Sequence, residues 1–157
     1  MRALAASLLA CTALAALVGC GQQDNSTPTA CLSGSEGYEK ALARLPAEVL
    51  IRGETPISDC LVANQEGGEL ERVGESLLQV ATNANAEARQ AGGERSAFAL
   101  GYLMGAVQRG AERTEGIHSD LVRRLTVAAR YSPDKEPLPP SFYALYREGF
   151  DAGRSGG

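Results

Sequence analysis

Gly101 and Gly105, with Ala97 before them, stand four residues apart, and Gly149 and Gly153 repeat that interval near the C-terminus. Both sets fall in stretches patterned as helices. Phe98, Tyr102, Leu103, Ala106 and Val107 recur at helical spacing between Glu94 and about Arg113, and Phe142, Leu145, Tyr146 and Phe150 do so after Pro140-Ser141. A glycine in a helix interior costs about 1 kcal/mol against alanine, so several on one face are tolerable only where something must approach the backbone. Small residues every four positions let two helix axes come close, and these two faces are expected to pack on each other. The alternative occupant is a small apolar ligand lying on bare backbone between the third and last helices.

The other elements follow the same period. Tyr38, Ala41, Leu42 and Leu45 mark a short first helix that Pro46 stops, with Ser33-Gly34-Ser35-Glu36 before it in the form of a capping box. Leu70, Val73, Leu77, Val80, Ala81, Ala84 and Ala88 form one apolar stripe from about 69 to 91, closed by Gly92-Gly93. The third helix is then expected to fold back on the second. Ile117, Leu121, Leu125 and Ala128 predict a fourth helix reaching about Tyr131, with Ser119 as its cap. Ser132 to Pro140 holds four of the seven prolines and reads as a stiff connector. Val49-Leu50-Ile51 is the only strand-like run, and Gly53 and Pro56 mark it as an extended crossing. The fold class is therefore all-α, a single domain of four or five helices in an irregular bundle.

The N-terminus has a different composition. Met1-Arg2 is followed by an apolar run from Ala3 to Val18, broken only by Ser7, Cys11 and Thr12, which is the pattern of a secretory leader. It ends in Leu17-Val18-Gly19-Cys20, and this tetrapeptide resembles the lipobox of bacterial lipoproteins. The resemblance covers about twenty residues and implies removal of residues 1–19, a diacylglyceryl thioether on Cys20, and a further fatty acyl group such as palmitate on the new amino terminus. Two or three such chains hold a protein stably at a membrane where one does not. A rival box at Leu8-Leu9-Ala10-Cys11 would leave only about seven apolar residues before the cut and strand Ala13 to Gly19 in the mature chain. An uncleaved membrane helix is the other reading, but Ala3 to Gly19 is at the lower limit of a span and eight of its residues are Ala or Gly. Residues 20–30 read as the lipidated N-terminus and a polar tether, and 31–157 as the helical domain. The implied address is the cell membrane or outer membrane, facing the periplasm or exterior.

With Cys11 lost and Cys20 acylated, Cys31 and Cys60 are the two thiols left in an oxidising setting and are expected to pair. A metal site would need more ligands than these two and the single His118 offer, so no metal and no cofactor is implied.

Charge excludes one class of partner. Fifteen Lys and Arg less Arg2 leave fourteen in the mature chain against nineteen Asp and Glu, a net charge of -5. Nucleic acid requires a basic footprint, and a purely electrostatic grip on anionic lipid is equally disfavoured. Arg123-Arg124, and Arg109 with Arg113, read as a solvated face or as partners of Glu112 and Glu115, with an anionic-ligand site as the sharper alternative. His118 with Asp120 suggests a base and its orienter, but i and i+2 diverge on a helix. No G-x-S-x-G, phosphate-binding glycine loop, H-E-x-x-H or paired-cysteine motif is present. Phe142, Tyr143, Tyr146 and Phe150 gather half of the eight aromatics into nine residues, with Tyr143 off the buried face. The reading that results is a non-enzymatic, lipid-anchored module that binds an envelope protein or polymer or has a structural role. A carrier of an apolar ligand, and an enzyme built on His118, are the alternatives.

Overall fold

The structure is a computed structural model that describes residues 26–132 and 138–157. Five α-helices follow one another: α1 (Ser35–Leu42), α2 (Gly67–Ala88), α3 (Glu94–Glu112), α4 (Ser119–Arg130) and α5 (Pro140–Gly156). Two short 3-10 helices, Thr29–Leu32 and Ile57–Cys60, flank α1. Among the described residues there is no strand, only a bridge between Ile51 and Thr55, so the apolar run at Val49 to Ile51 is an extended crossing whose Val49 and Ile51 are buried. The helices form one domain around a core of Val73, Leu77, Leu100, Leu103, Val107 and Leu125.

The contact that organises this core lies between α3 and α5, and it is made by backbone. A methyl group placed on Gly101 would overlap the carbonyl oxygen of Tyr146, and one on Gly105 would overlap that of Phe150. The relation is reciprocal: a methyl on Gly149 would meet the carbonyl of Phe98, and one on Gly153 that of Tyr102. Each of the four glycines thus presents a Cα hydrogen to a carbonyl of the facing helix, a weak hydrogen bond that only side-chain-free backbone can make at this separation. Residue numbers rise together on the two helices across these pairs, so α3 and α5 run parallel. Ala97 is buried at the start of the same face, beside Phe142. The face where a carrier would hold its ligand is therefore filled by the opposing backbone.

Helix limits depart from the sequence reading for local reasons. The capping box does not form, because Ser33 Oγ donates to the Ala30 carbonyl at 2.7 Å and Gly34, at φ +76°, turns the chain so that α1 begins at Ser35. Glu36 pairs instead with Lys40 at 2.7 Å. Helix α2 stops at Ala88, three residues before the expected end, and the turn through Gly92, at φ +83°, brings Gly93 against Glu87 and Ala88. Ser119 is the first residue of α4 and His118 holds the cap position. The tether expected to run to residue 30 stops short of that, because Thr27, Ala30 and Cys31 are already buried in the body. The connector reading falls largely on residues 133–137, which lie outside the described residues, as do the leader and Cys20.

Cys31 and Cys60 form a disulfide between the two 3-10 helices, with Cα atoms 5.5 Å apart and a sequence separation of 29. A closed loop of that length restricts the unfolded chain by about 3–4 kcal/mol on the entropy model. The second 3-10 helix then docks on the C-terminal end of α3, where a Cβ on Gly110 would overlap the Ser58 carbonyl and where Arg113 bonds that carbonyl at 3.0 Å.

Gly101→Ala or Gly153→Ala should force α3 and α5 apart and lower stability by about 1–3 kcal/mol in urea unfolding, because overpacking outweighs the better helix propensity. Gly68→Ala, where the added methyl meets nothing within 4 Å, should be neutral or stabilising by up to about 1 kcal/mol. Equal effects at the three positions would show that the backbone contact does not hold the helices.

Candidate functional site

The most organised polar cluster is buried rather than open. Gln65 leads into α2, Thr114 and His118 bracket the turn between α3 and α4, and Thr27 lies on the N-terminal strap; all four are buried. Gln65 Nε2 donates to Thr27 Oγ1 at 2.8 Å and to the Cys60 carbonyl at 3.1 Å. A carbonyl only accepts, so the Gln65 amide nitrogen is fixed on that side and its Oε1 faces His118 Nε2, 2.8 Å away. Nε2 of His118 must then carry a hydrogen.

The other ring nitrogen is in contest. Nδ1 lies 2.9 Å from Thr114 Oγ1, and that hydroxyl also lies 2.8 Å from the Ala111 carbonyl. In neutral His118, the single hydroxyl proton serves either Nδ1 or Ala111. A second proton on the ring would satisfy both, since Nδ1 would donate to Thr114 and Thr114 to Ala111. Burial works in the opposite direction and pushes the imidazole below its ordinary range. The neutral ring is therefore the native form near neutral pH.

Asp120, two residues on, is not part of this cluster. Its carboxylate pairs with Arg123, whose guanidinium holds it below the usual carboxylate range. His118 thus has hydroxyl and amide neighbours where a base and its orienter would need a carboxylate. Arg113, read from the sequence as part of a solvated face or a partner of Glu112 or Glu115, bonds Asp59 Oδ1 at 2.9 Å and so ties α3 to the disulfide corner. Glu112 pairs with Arg154 at 3.0 Å, and Arg109 donates to the Ser155 carbonyl at 2.8 Å, so these charges clamp the C-terminal ends of α3 and α5. Their partners come from other helices, which residue spacing along one helix does not reveal.

Two further features were not legible as sites. Asn85, buried on α2, donates to the carbonyls of Ala128 at 3.1 Å and Tyr131 at 2.8 Å and so closes the C-terminal end of α4. A cleft of about 240 Å3 lies between α1, α2 and α3, lined by Leu42, Val80, Asn83, Glu87, Arg95 and Ala99. Its polar groups are engaged with one another: Asn83 bonds Glu39 at 2.9 Å, Ser96 bonds Glu87 at 2.9 Å, and Arg95 bonds the Ala43 carbonyl. Among the described residues no group of three or more His, Cys, Asp or Glu is placed to hold a metal ion, and no helix is long and apolar enough to cross a membrane. No protein-family model, curated protein or solved structure matches this chain.

Gln65→Leu should strip partners from Thr27, Cys60 and His118 at once and destabilise the fold by at least about 2 kcal/mol, since orphaned buried groups cost about 1–3 kcal/mol each. The pH dependence has a definite sign. Because the native ring binds its proton more weakly than the unfolded one, the His118 contribution is complete above about pH 6.5 and declines as pH falls below that value. In urea unfolding between about pH 6.5 and 5, the wild-type slope should exceed that of His118→Gln. Parallel slopes would mean that His118 titrates alike in the folded and unfolded chain.

Proposed function

We infer that this chain is a lipid-anchored protein of the cell envelope, exported, cut before Cys20 and held by acyl chains on that residue, with the helical domain as a non-enzymatic binding or structural module. Leu17-Val18-Gly19-Cys20 at the end of an apolar leader carries the reading. Two observations support it. Cys31 and Cys60 are spent on each other in a disulfide, the state favoured in an oxidising compartment, and so neither competes with Cys20. Thr27 is already buried in the domain and lies seven residues beyond Cys20, so the domain would ride on the membrane that holds its lipid.

A binding or structural role suits the character of the buried polar groups. His118, Gln65, Thr114 and Thr27 are closed on one another and on backbone carbonyls beneath the surface, an arrangement that fixes elements in place. The partner class that goes with such a body is an envelope protein or polymer met at its outer surface. The backbone contact between α3 and α5 weighs against the carrier reading, because the two glycine faces leave no space between them.

Intact mass of the protein purified from bacterial membranes should show loss of residues 1–19 and the added mass of a diacylglyceryl group with a further acyl chain. Cys20→Ser should abolish that mass and leave the precursor unprocessed. Normal processing and membrane flotation of the serine variant would sink the assignment.

A further inference from the structure

Among the described residues, the outer side of α4 is an exposed face. Its buried side is Leu121, Leu125 and Ala129. Opposite these lie Arg123, Arg124, Val127, Arg130 and Tyr131, with Val127 65% and Tyr131 61% exposed. Val127 occupies the centre of the face, and the arginines flank it on both sides. The single acid there, Asp120, is neutralised by Arg123. A locally basic and partly apolar face is therefore set into a chain whose mature net charge is -5. By contrast, the exposed part of α2 carries Glu71, Glu75 and Glu87.

Position gives this face its meaning. Thr27, buried in the body, is bonded to Gln65, and Gln65 to His118, the residue that precedes α4. The chain from Cys20 thus enters the domain beside the first turn of α4. The seven residue steps from Cys20 to Thr27 reach about 25 Å at most, and α4 is about 18 Å long, so a membrane anchor at Cys20 would keep the helix within range of the headgroups. Ile117, 42% exposed in the turn before α4, extends the apolar line toward the anchor side.

We propose that the outer face of α4 lies on anionic phospholipid headgroups beside the anchor, which fixes the orientation of the domain on its membrane. The proposal rests on the lipid-anchored reading above. Guanidinium groups match phosphate oxygens in a forked geometry, and a tyrosine ring with a polar tip suits the headgroup layer. A face with one valine and one tyrosine buries little apolar area and would not hold a free protein. Tethered by acyl chains it need not, because the anchor already supplies a high local concentration of membrane. The acids exposed on α2, which disfavour adhesion of that side, leave the basic face of α4 as the better side to turn to the lipid.

The chain contains no tryptophan, so a single introduced indole reports on its own surroundings. Full-length protein carrying Val127→Trp, or Tyr143→Trp on exposed α5 as the reference, would be purified from membranes, its acylation read by intact mass, and reconstituted into phosphatidylcholine vesicles with or without phosphatidylglycerol. With phosphatidylglycerol, the Val127→Trp emission should shift to the blue and be quenched by headgroup-proximal brominated lipid, while Tyr143→Trp keeps its aqueous emission. Adding Arg124→Gln and Arg130→Gln should weaken the contact roughly 25-fold, about fivefold for each arginine, and about 1 M salt should release it.

The outcomes separate the two readings. An acylated protein whose Val127→Trp emission matches its aqueous value on both vesicle types overturns the proposal and leaves the anchor standing. An emission that responds to protein concentration and not to lipid assigns the face to a second copy of the chain, which also overturns it. A chain without acyl mass whose indole still shifts on anionic vesicles removes the anchor and overturns the proposal as stated, because the face would then hold an untethered protein. Absence of both acylation and shift removes both.

Discussion

Two helices whose backbones touch set the terms for every other element. At the α3 and α5 interface, four glycines offer Cα hydrogens to carbonyls of the opposite helix, and no side chain fits between. Because the two helices run parallel, the chain that leaves the end of α3 must travel back along its length before α5 can begin. Helix α4 makes that return, and its buried edge of Leu121, Leu125 and Ala129 closes the core over α2 and α3. The glycines lose helix propensity, and the close packing of Leu100, Leu103 and Val107 behind them offsets that loss through burial.

A second closure secures the opposite end. The Cys31–Cys60 disulfide joins the strap before α1 to the turn before α2, Gly110 lets that turn sit against α3, and Arg113 bonds both Asp59 and the Ser58 carbonyl. Gln65 connects this corner to His118 and hence to the start of α4. One amide thus draws together the N-terminal strap, the disulfide and the return helix. Its burial makes it costly to leave unsatisfied, and that is why it specifies the arrangement rather than merely tolerating it.

For a protein read as membrane-anchored, the burial of Thr27 matters more than the presence of the anchor. A long tether would let the domain tumble and sample partners away from the surface. With Thr27 buried seven residues beyond Cys20, a lipid on Cys20 would hold the domain close, and which side of it meets the lipid would become a property of the fold. The charge on α4 and the acidic character of α1 and α2 bear on that choice. The sides turned away from the membrane are then those open to an envelope protein or polymer.

The helices and their apolar faces were legible in the residues because the signals are local and periodic. Leu70 to Ala88 mark α2, the glycine intervals mark the face of α3 that meets α5, and two cysteines left over mark the bridge. Periodicity says which residues share a face, and it was silent on how those faces are joined. That α3 and α5 run parallel, that Arg113 answers to Asp59, that Ser33 turns back to Ala30, and that Thr27 belongs to the body were decided only in three dimensions. The His118 cluster is the clearest case: its members stand at positions 27, 65, 114 and 118, and no spacing rule connects Thr27 and Gln65 to the other two. Hydrophobic burial acts on each segment separately and so leaves its trace in sequence, whereas a buried hydrogen bond has no meaning until both partners have been brought within about 3 Å by everything else.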